Sequence, residues 1–250
     1  MNHGCADAQR FESLREIKFE VLIMKTFTYA IGDIHGRLDL LVKSIELIEH
    51  HRLQNDAYAI VVFLGDYVDR GPNSKEVCDI LMAGPNTENT EWIILQGNHE
   101  IMLIEAGLGG FSEQKFWLNN GGQETLSSFG GYREMIPYIK WMQNLTKYYY
   151  DGERVFVHAG IKDGVPLEQT PEAVLQWIRY PDEYEPNSPL GYLVHGHTPK
   201  MGQPLILKTR CDLDVWGVAT GKVCVGVFEK GIPGGPIDLL EANMGYRALD

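Results

Sequence analysis

The sequence predicts an α/β protein whose functional groups gather at the ends of parallel strands, and two observations carry that prediction. Five short apolar, β-prone runs each stop abruptly in Gly, Asp, Asn or His, as buried strands do when their ends face a ligand. A segment of helical period lies between the first two runs, the kind of crossover that parallel strands need. At 250 residues the chain can bury a sizeable core, which fits one domain with insertions.

Residues 26–31 alternate, with Phe27, Tyr29 and Ile31 set against Thr28 and Ala30, and run into Gly32-Asp33-Ile34-His35-Gly36. Leu38, Leu41, Val42, Ile45 and Ile48 then recur at helical spacing and predict an amphipathic helix of about four turns. Residues 57–64 are continuously apolar and meet Gly65-Asp66-Tyr67-Val68-Asp69-Arg70-Gly71, with a helix expected over 74–82. Residues 92–95 lead into Gln96-Gly97-Asn98-His99-Glu100. Arg154–Val157 leads into His158-Ala159-Gly160, and 192–194 into His195-Gly196-His197-Thr198-Pro199. Between them, about 101–150 is mostly helical in pattern, rich in Trp and Tyr and broken by paired glycines, a helical insertion beside the site. Residues 205–208 and 222–228 read as strands of a second sheet, and the Gly/Pro-rich 231–236 as the start of a surface tail.

Hydrophobic residues make up 44% and charged residues 22%, a soluble globular composition, and the longest apolar runs are too short to span a bilayer. The net charge of −12 opposes binding to a nucleic-acid backbone, so neither nucleic acid nor membrane is an expected partner. The four cysteines are scattered without a Cys-x-x-Cys pair and read as reduced packing residues. Residues 1–23 mix charges, lack the apolar block of a secretory signal and read as an N-terminal extension of uncertain order ahead of Met24; a cytoplasmic location follows by default. Oligomeric state is not legible.

Asp33 and His35, two apart in an extended segment, point the same way and form a two-residue metal grip between glycines that admit close approach. Asp66, Asp69 and Arg70 crowd two carboxylates and a guanidinium at one strand end, which is costly without a cation or anion to satisfy them. One carboxylate can bridge two cations, and Arg presents a fork to a phosphoryl group. Asn98 adds a neutral amide oxygen, and His99 is either a ligand or a proton donor. His158 and His197 each stand just past an apolar run. His195 reads as strand packing, and His3, His50 and His51 as surface residues. Trp117, Trp141, Trp177 and Tyr148–Tyr150 read as core or cleft wall.

In this order, the blocks at 32–36, 65–71, 97–100, 158–160 and 196–199 resemble the phosphoprotein phosphatase family within the calcineurin-like metallophosphoesterases, over roughly residues 26–228. Trp117-Leu118-Asn119-Asn120-Gly121-Gly122 and Trp177-Ile178-Arg179 are similar to linking segments of its bacterial branch. The resemblance implies two mixed β-sheets packed as a sandwich flanked by helices, with residues 24–250 as one catalytic domain. It implies one metal on Asp33, His35 and Asp66, and a second on Asp66, Asn98, His158 and His197, with Asp66 bridging. It places Arg70, Arg179 and Asn98 on phosphate, and His99 as the acid partnered by Asp69.

The charge balance suits such chemistry. Two divalent cations bring about +4, two Asp and a bridging hydroxide remove about three, and Arg70 and Arg179 raise the remainder to about +3. That local charge can hold a phosphate dianion despite the acidic total, and hydroxide made available near neutral pH would attack phosphorus in line. Oxygen and nitrogen donors without thiolate suit Mn first, with Fe or Zn also compatible. The expected activity is a serine/threonine protein phosphatase, with dinucleoside-polyphosphate hydrolase as the alternative, so the partner is a phosphorylated protein or a small phosphoester. One departure stands out. Where the family often carries an Ile-Asp-Thr-Gly-like strand, this chain has Cys211-Asp212-Leu213-Asp214-Val215-Trp216-Gly217, which leaves the local turn open with Asp214 in the Asp place.

Overall fold

A computed structural model describes residues 24–245; the expectations placed on residues 1–23, including His3 and Cys5, lie outside the described residues. Strand β1 (Lys25–Ile31) leads through helix α1 (Leu38–Gln54) to β2 (Ala57–Phe63), and α2 (Ser74–Ala83) leads on to β3 (Thr90–Ile94). These three strands are parallel, with Phe27 opposite Ala59 and Val61 opposite Trp92. The expected crossover is therefore present. α1 runs to 17 residues, and its buried face is Leu40, Leu41, Ser44, Ile48 and Arg52. Of the predicted stripe, Leu41 and Ile48 are therefore buried, Leu38 and Ile45 partly so, and Val42 is exposed.

The expected helical insertion comprises α3 (Asn98–Leu108), α4 (Phe111–Trp117), a π-turn at Leu118–Gly122, α5 (Gln123–Phe129) and α6 (Tyr132–Met142). Helix ends at Met142, and Tyr148–Tyr150 is not helix but a strand, β4. The remaining elements are β5 (Arg154–Val157), α7 (Glu172–Trp177), β6 (Tyr192–His195), β7 (Leu205–Ile206), β8 (Arg210–Asp212), α8 (Gly217–Thr220), β9 (Lys222–Glu229) and β10 (Asp238–Asn243). They form two mixed five-stranded sheets, in the orders β10-β9-β1-β2-β3 and β4-β5-β6-β8-β7.

Two expectations fail here. Residues 222–228 do not join the second sheet: β9 pairs antiparallel with β1. Its alternate faces explain why. Val223, Val225 and Val227 pack with α1 in one core, whereas Cys224 and Phe228 face the other sheet. A strand apolar on both sides needs cover on both, and an inner position in the first sheet supplies it. Nor is the stretch after 231–236 a draped tail, because β10 returns antiparallel along β9 and caps that edge.

The sheets meet through Ala30, Val62, Leu64, Phe156, Val194, Cys211 and Phe228. Phe156 and Phe228 pack edge to face across this interface, ring centres 5.6 Å apart. Outside the first sheet, Tyr29, Ile31 and Phe63 pack against Leu40, Leu41 and Val77. His51 is not a simple surface residue; half-buried, it packs its ring edge-on to Phe27 and Tyr29 and shares a 2.8 Å hydrogen bond with the Tyr29 hydroxyl. Cys78, Cys211 and Cys224 are free and buried. None of the described helices is long and apolar enough to cross a membrane.

Arg210 is buried, and its guanidinium donates to the carbonyls of Tyr184, Pro181 and Asp182 and to His195 Nε2. His195 is thus tied into β6 as a packing residue, and burial pushes its imidazole down to about 3. Arg210→Met leaves these acceptors unpaired while keeping the stem, so urea unfolding is expected to show a loss of about 3 kcal/mol. A loss under about 1 kcal/mol would mean that water replaces the guanidinium.

Candidate metal centre

The loops after β1, β2, β3, β5 and β6 converge on one point, and they reach it through strained backbone. Among the described residues, eight other than glycine have positive φ, and five of them are His35, Asp66, Asp69, Arg70 and His197. Such conformations cost about 1–3 kcal/mol each and persist where surrounding contacts over-determine them. Close approach demands glycine at two supporting positions. A Cβ on Gly97 would lie 2.3 Å from Asp66 Oδ1, and one on Gly121 (φ 101°) would lie 2.6 Å from Arg70 Cγ.

Asp66 occupies the middle, and its two oxygens face different ways. Oδ1 is 3.4 Å from His158 Nε2, whereas Oδ2 is 3.6 Å from His35 Nε2 and 4.0 Å from His99 Nε2. Two sets of convergent donor atoms result, His35–Asp66–His99 and Asp66–His158–His197, each with its atoms within 4.8 Å of one another. Backbone carbonyls set the imidazole tautomers. His35 Nδ1–H donates to Val68 O and His158 Nδ1–H to Leu64 O, both at 2.9 Å, so each turns a bare Nε2 inward. His197 is reversed: Nε2–H donates to Trp177 O at 3.3 Å, and Nδ1 lies 3.2 Å from His158 Nε2. Asn98 Oδ1 lies 2.9 Å from His158 Nε2.

The structure also brings Asp33 here, though outside the two tight sets. Its buried Oδ1 accepts the His197 backbone N–H at 3.2 Å, and His99 stands beside His35 and Asp66 where Asp33 was expected. Arg70 places Nη1 2.5 Å from His35 Nε2, and the exposed Arg179 places Nε 3.5 Å from His197 Nε2. Both guanidiniums therefore border the cluster.

Burial and neighbouring charge act differently on these groups. Burial would raise the Asp66 carboxyl, but the imidazoles of His158, His99, His35 and His197 outweigh it and hold it far below the usual carboxylate range. Burial pushes His35 well down and His197 to about 3, so these donors are neutral. Asp33 is pushed up by burial and by its neighbours Asp214 and Asp66. Asp214 rises to about 6, chiefly by burial. Repelling carboxylates beside unprotonated imidazoles form a donor set that divalent cations fit, because positive charge relieves the repulsion.

Asp69 and His99 form a separate pair. His99 Nδ1–H donates to Asp69 Oδ2 at 2.7 Å. Burial opposes protonation of His99, but the carboxylates of Asp66 and Asp69 outweigh it and raise the imidazole above its ordinary value. Three supports were missed by sequence reasoning. Trp117 Nε1–H donates to Asp69 at 2.9 and 3.1 Å, and Thr125 Oγ1–H donates to its Oδ1 at 2.7 Å. Both come from the insertion, 48 and 56 residues away in sequence, a contact that no local pattern carries. Glu100 is the third: its carboxylate accepts the backbone N–H groups of Asp66, Tyr67 and Gly97 at 2.8–2.9 Å and splints two loops together. Its place in Gly97-Asn98-His99-Glu100 was the available signal.

The departure at 211–217 also resolves. Asp214 Oδ1 accepts the Trp216 N–H at 2.8 Å, Trp216 adopts φ 59°, and the turn runs directly into α8.

The family described as calcineurin-like phosphoesterase matches residues 28–207. A symmetrical bis(5'-nucleosyl)-tetraphosphatase from Coxiella burnetii is 29% identical over 136 residues, 54% of this chain and 42% of that relative. One from Dechloromonas aromatica is 28% identical over 135 residues, covering 54% and 44%. The matches thus cover less than half the length of these curated relatives. A protein serine/threonine phosphatase from Saccharomyces cerevisiae superposes with a TM-score of 0.58 at 15% identity, covering 90% of this chain and 82% of that one, a likeness of fold.

Glu100→Gln replaces an acceptor-only group with an amide whose NH2 must face backbone N–H donors. Urea unfolding is expected to show a loss of about 2 kcal/mol. An unchanged midpoint would deny the splint.

Proposed function

The chain belongs to the calcineurin-like phosphoesterase family, and from that premise we propose that it cleaves a phosphoanhydride of a dinucleoside polyphosphate. It is a hydrolase of the metallophosphoesterase type. The observation carrying the chemistry is Asp66 turning one oxygen to each of two donor sets. The curated relatives, symmetrical bis(5'-nucleosyl)-tetraphosphatases, support the dinucleotide over the phosphoprotein that the sequence motifs favoured.

In this reading Asp33, His35 and Asp66 would hold one divalent ion and Asp66, Asn98, His158 and His197 the other, with Mn the first candidate and Fe or Zn compatible. When bound, the pair supplies Lewis acidity and lowers the pKa of water towards about 7. Arg70 and Arg179 grip the phosphoryl oxygens from the rim, with the Asn98 amide beside them, and their charge offsets the acidic surface. Water adds to phosphorus as the bond to the leaving oxygen breaks, and that oxygen takes the proton from His99 Nε2. Asp69 holds the imidazole by Nδ1, and Trp117 and Thr125 hold Asp69.

One feature favours a second reading, hydrolysis of phosphoserine or phosphothreonine in proteins. A proton donor held at 2.7 Å by a buried carboxylate matters most when an alkoxide leaves, and less for a nucleoside diphosphate.

A Mn-supplemented panel of diadenosine tetraphosphate and phosphopeptides separates the two. Symmetrical cleavage to two nucleoside diphosphates is expected; turnover of phosphopeptides alone would refute the dinucleotide reading. His99→Asn is expected to slow alkyl phosphates by about 10²- to 10⁴-fold and p-nitrophenyl phosphate much less. Equal loss on both would remove His99 as the acid.

A further inference from the structure

A cavity of about 510 Å³ opens between α3 and α7, and none of the roles above uses it. Both helices aim at the metal centre. α3 begins at Asn98, and α7 ends at Trp177, whose carbonyl accepts from His197. The cavity therefore starts beside the reacting groups and runs outward along α3, where Ile101, Ile104 and Glu105 share one face. Its volume falls within the range of small-molecule sites.

Its buried wall is a pair of amides whose orientation the hydrogen bonds dictate. Gln96 Nε2–H donates to Met142 O at 2.8 Å, which turns Gln96 Oε1 towards Gln176; Gln176 Nε2–H donates to that oxygen, also at 2.8 Å. Gln176 Oε1 is thereby left an acceptor to which no described residue donates, on a side chain only 1% exposed. Trp177 borders the same cavity and is 38% exposed, its ring edge-on to His197 with centres 6.4 Å apart. A flat apolar surface, two isoleucines and one acceptor without a described donor, with Glu105, Lys147 and Glu172 also in the lining, suit a planar heterocycle that carries an exocyclic amine.

We propose that this cavity binds an aminopurine nucleoside, adenosine in the first instance, and seats one nucleoside arm of the substrate. This rests on the dinucleotide reading for its place in catalysis, but not for the binding itself. The Trp177 indole stacks on the base, a contact every base can make. Gln176 Oε1 accepts the exocyclic N6–H of adenine; guanine and hypoxanthine carry a carbonyl oxygen there, which sets acceptor against acceptor. Stacking supplies affinity and the amide supplies the choice of base.

The test uses the full Mn-loaded chain and phosphate-free nucleosides, with dissociation constants from calorimetry or saturation-transfer NMR. Adenosine is expected to bind about tenfold more tightly than inosine. Trp177→Ala should weaken adenosine by about fivefold or more, with Trp177→Phe retaining most of the affinity. Gln176→Leu should abolish the preference for adenosine. Failure of the wild-type chain to bind adenosine, equal affinity for both nucleosides, or a preference that survives Gln176→Leu each overturns the proposal. The substrate reading is judged apart: adenosine bound as described without cleavage of diadenosine tetraphosphate removes that reading and leaves the pocket standing. Cleavage with no effect of either residue on adenosine removes the pocket alone.

Discussion

The centre is organised by a concentration of buried negative charge. Asp33, Asp66, Asp69, Glu100, Asp212 and Asp214 are all at most 4% exposed, on loops and on the ends of α3 and β8. An unpaired buried carboxylate costs several kcal/mol even after relaxation, so each must find donors, a cation or a proton. They divide by how they are satisfied. Asp69 and Glu100 have dedicated donors from side chains and backbone, although burial and the neighbouring Asp66 still push Glu100 up to about 7. Asp66 lies among the imidazoles of His35, His99, His158 and His197, and its Oδ1 accepts the His99 backbone N–H at 3.0 Å. Asp33, Asp212 and Asp214 are pushed up by burial and by neighbouring carboxylates, and Asp212 Oδ2 has no hydrogen-bond partner. The unresolved repulsion lies on the side where cations would relieve it.

That constraint gives the helical insertion its purpose. Its own core gathers Leu103, Ala106, Trp117, Phe129 and Met135, while its polar atoms reach back to the loop after β2. Trp117 and Thr125 orient Asp69, and Gly121 O accepts the Arg70 N–H at 2.9 Å. The insertion thus buttresses a loop whose residues 69 and 70 both lie at positive φ. Strain in the loop and packing in the insertion are two sides of one energetic arrangement.

Electrostatics also explain how an acidic chain can handle a phosphoester. The net charge of −12 is a property of the whole surface, whereas the centre is bordered by Arg70 and Arg179, and Asn98 contributes an oxygen without adding negative charge. The cavity along α3 and α7 adds the apolar, hydrogen-bonding character that phosphate groups do not need and a nucleoside would use.

Much of this was legible from the chain alone. The apolar runs at 26–31 and 57–64, with a segment of helical period between them, sufficed for the βαβ order, although β1 is covered on both faces and the helix buries Leu40 and Ser44 rather than Val42. The polar residues ending each run also pointed to a shared site, since strand ends in α/β folds converge. Only the tertiary structure decided that β9 and β10 extend the first sheet, because pairing partners are set by which uncovered strand edge remains, a non-local matter. Only it showed Glu100 tying two loops together, and Trp117 and Thr125 closing on Asp69 across 48 and 56 residues. Side-chain hydrogen bonds of that span leave no periodic trace. The sequence by itself determined which groups could do chemistry, because their types and local spacing suffice for that. Which of them touch, and what holds them still, was settled by packing.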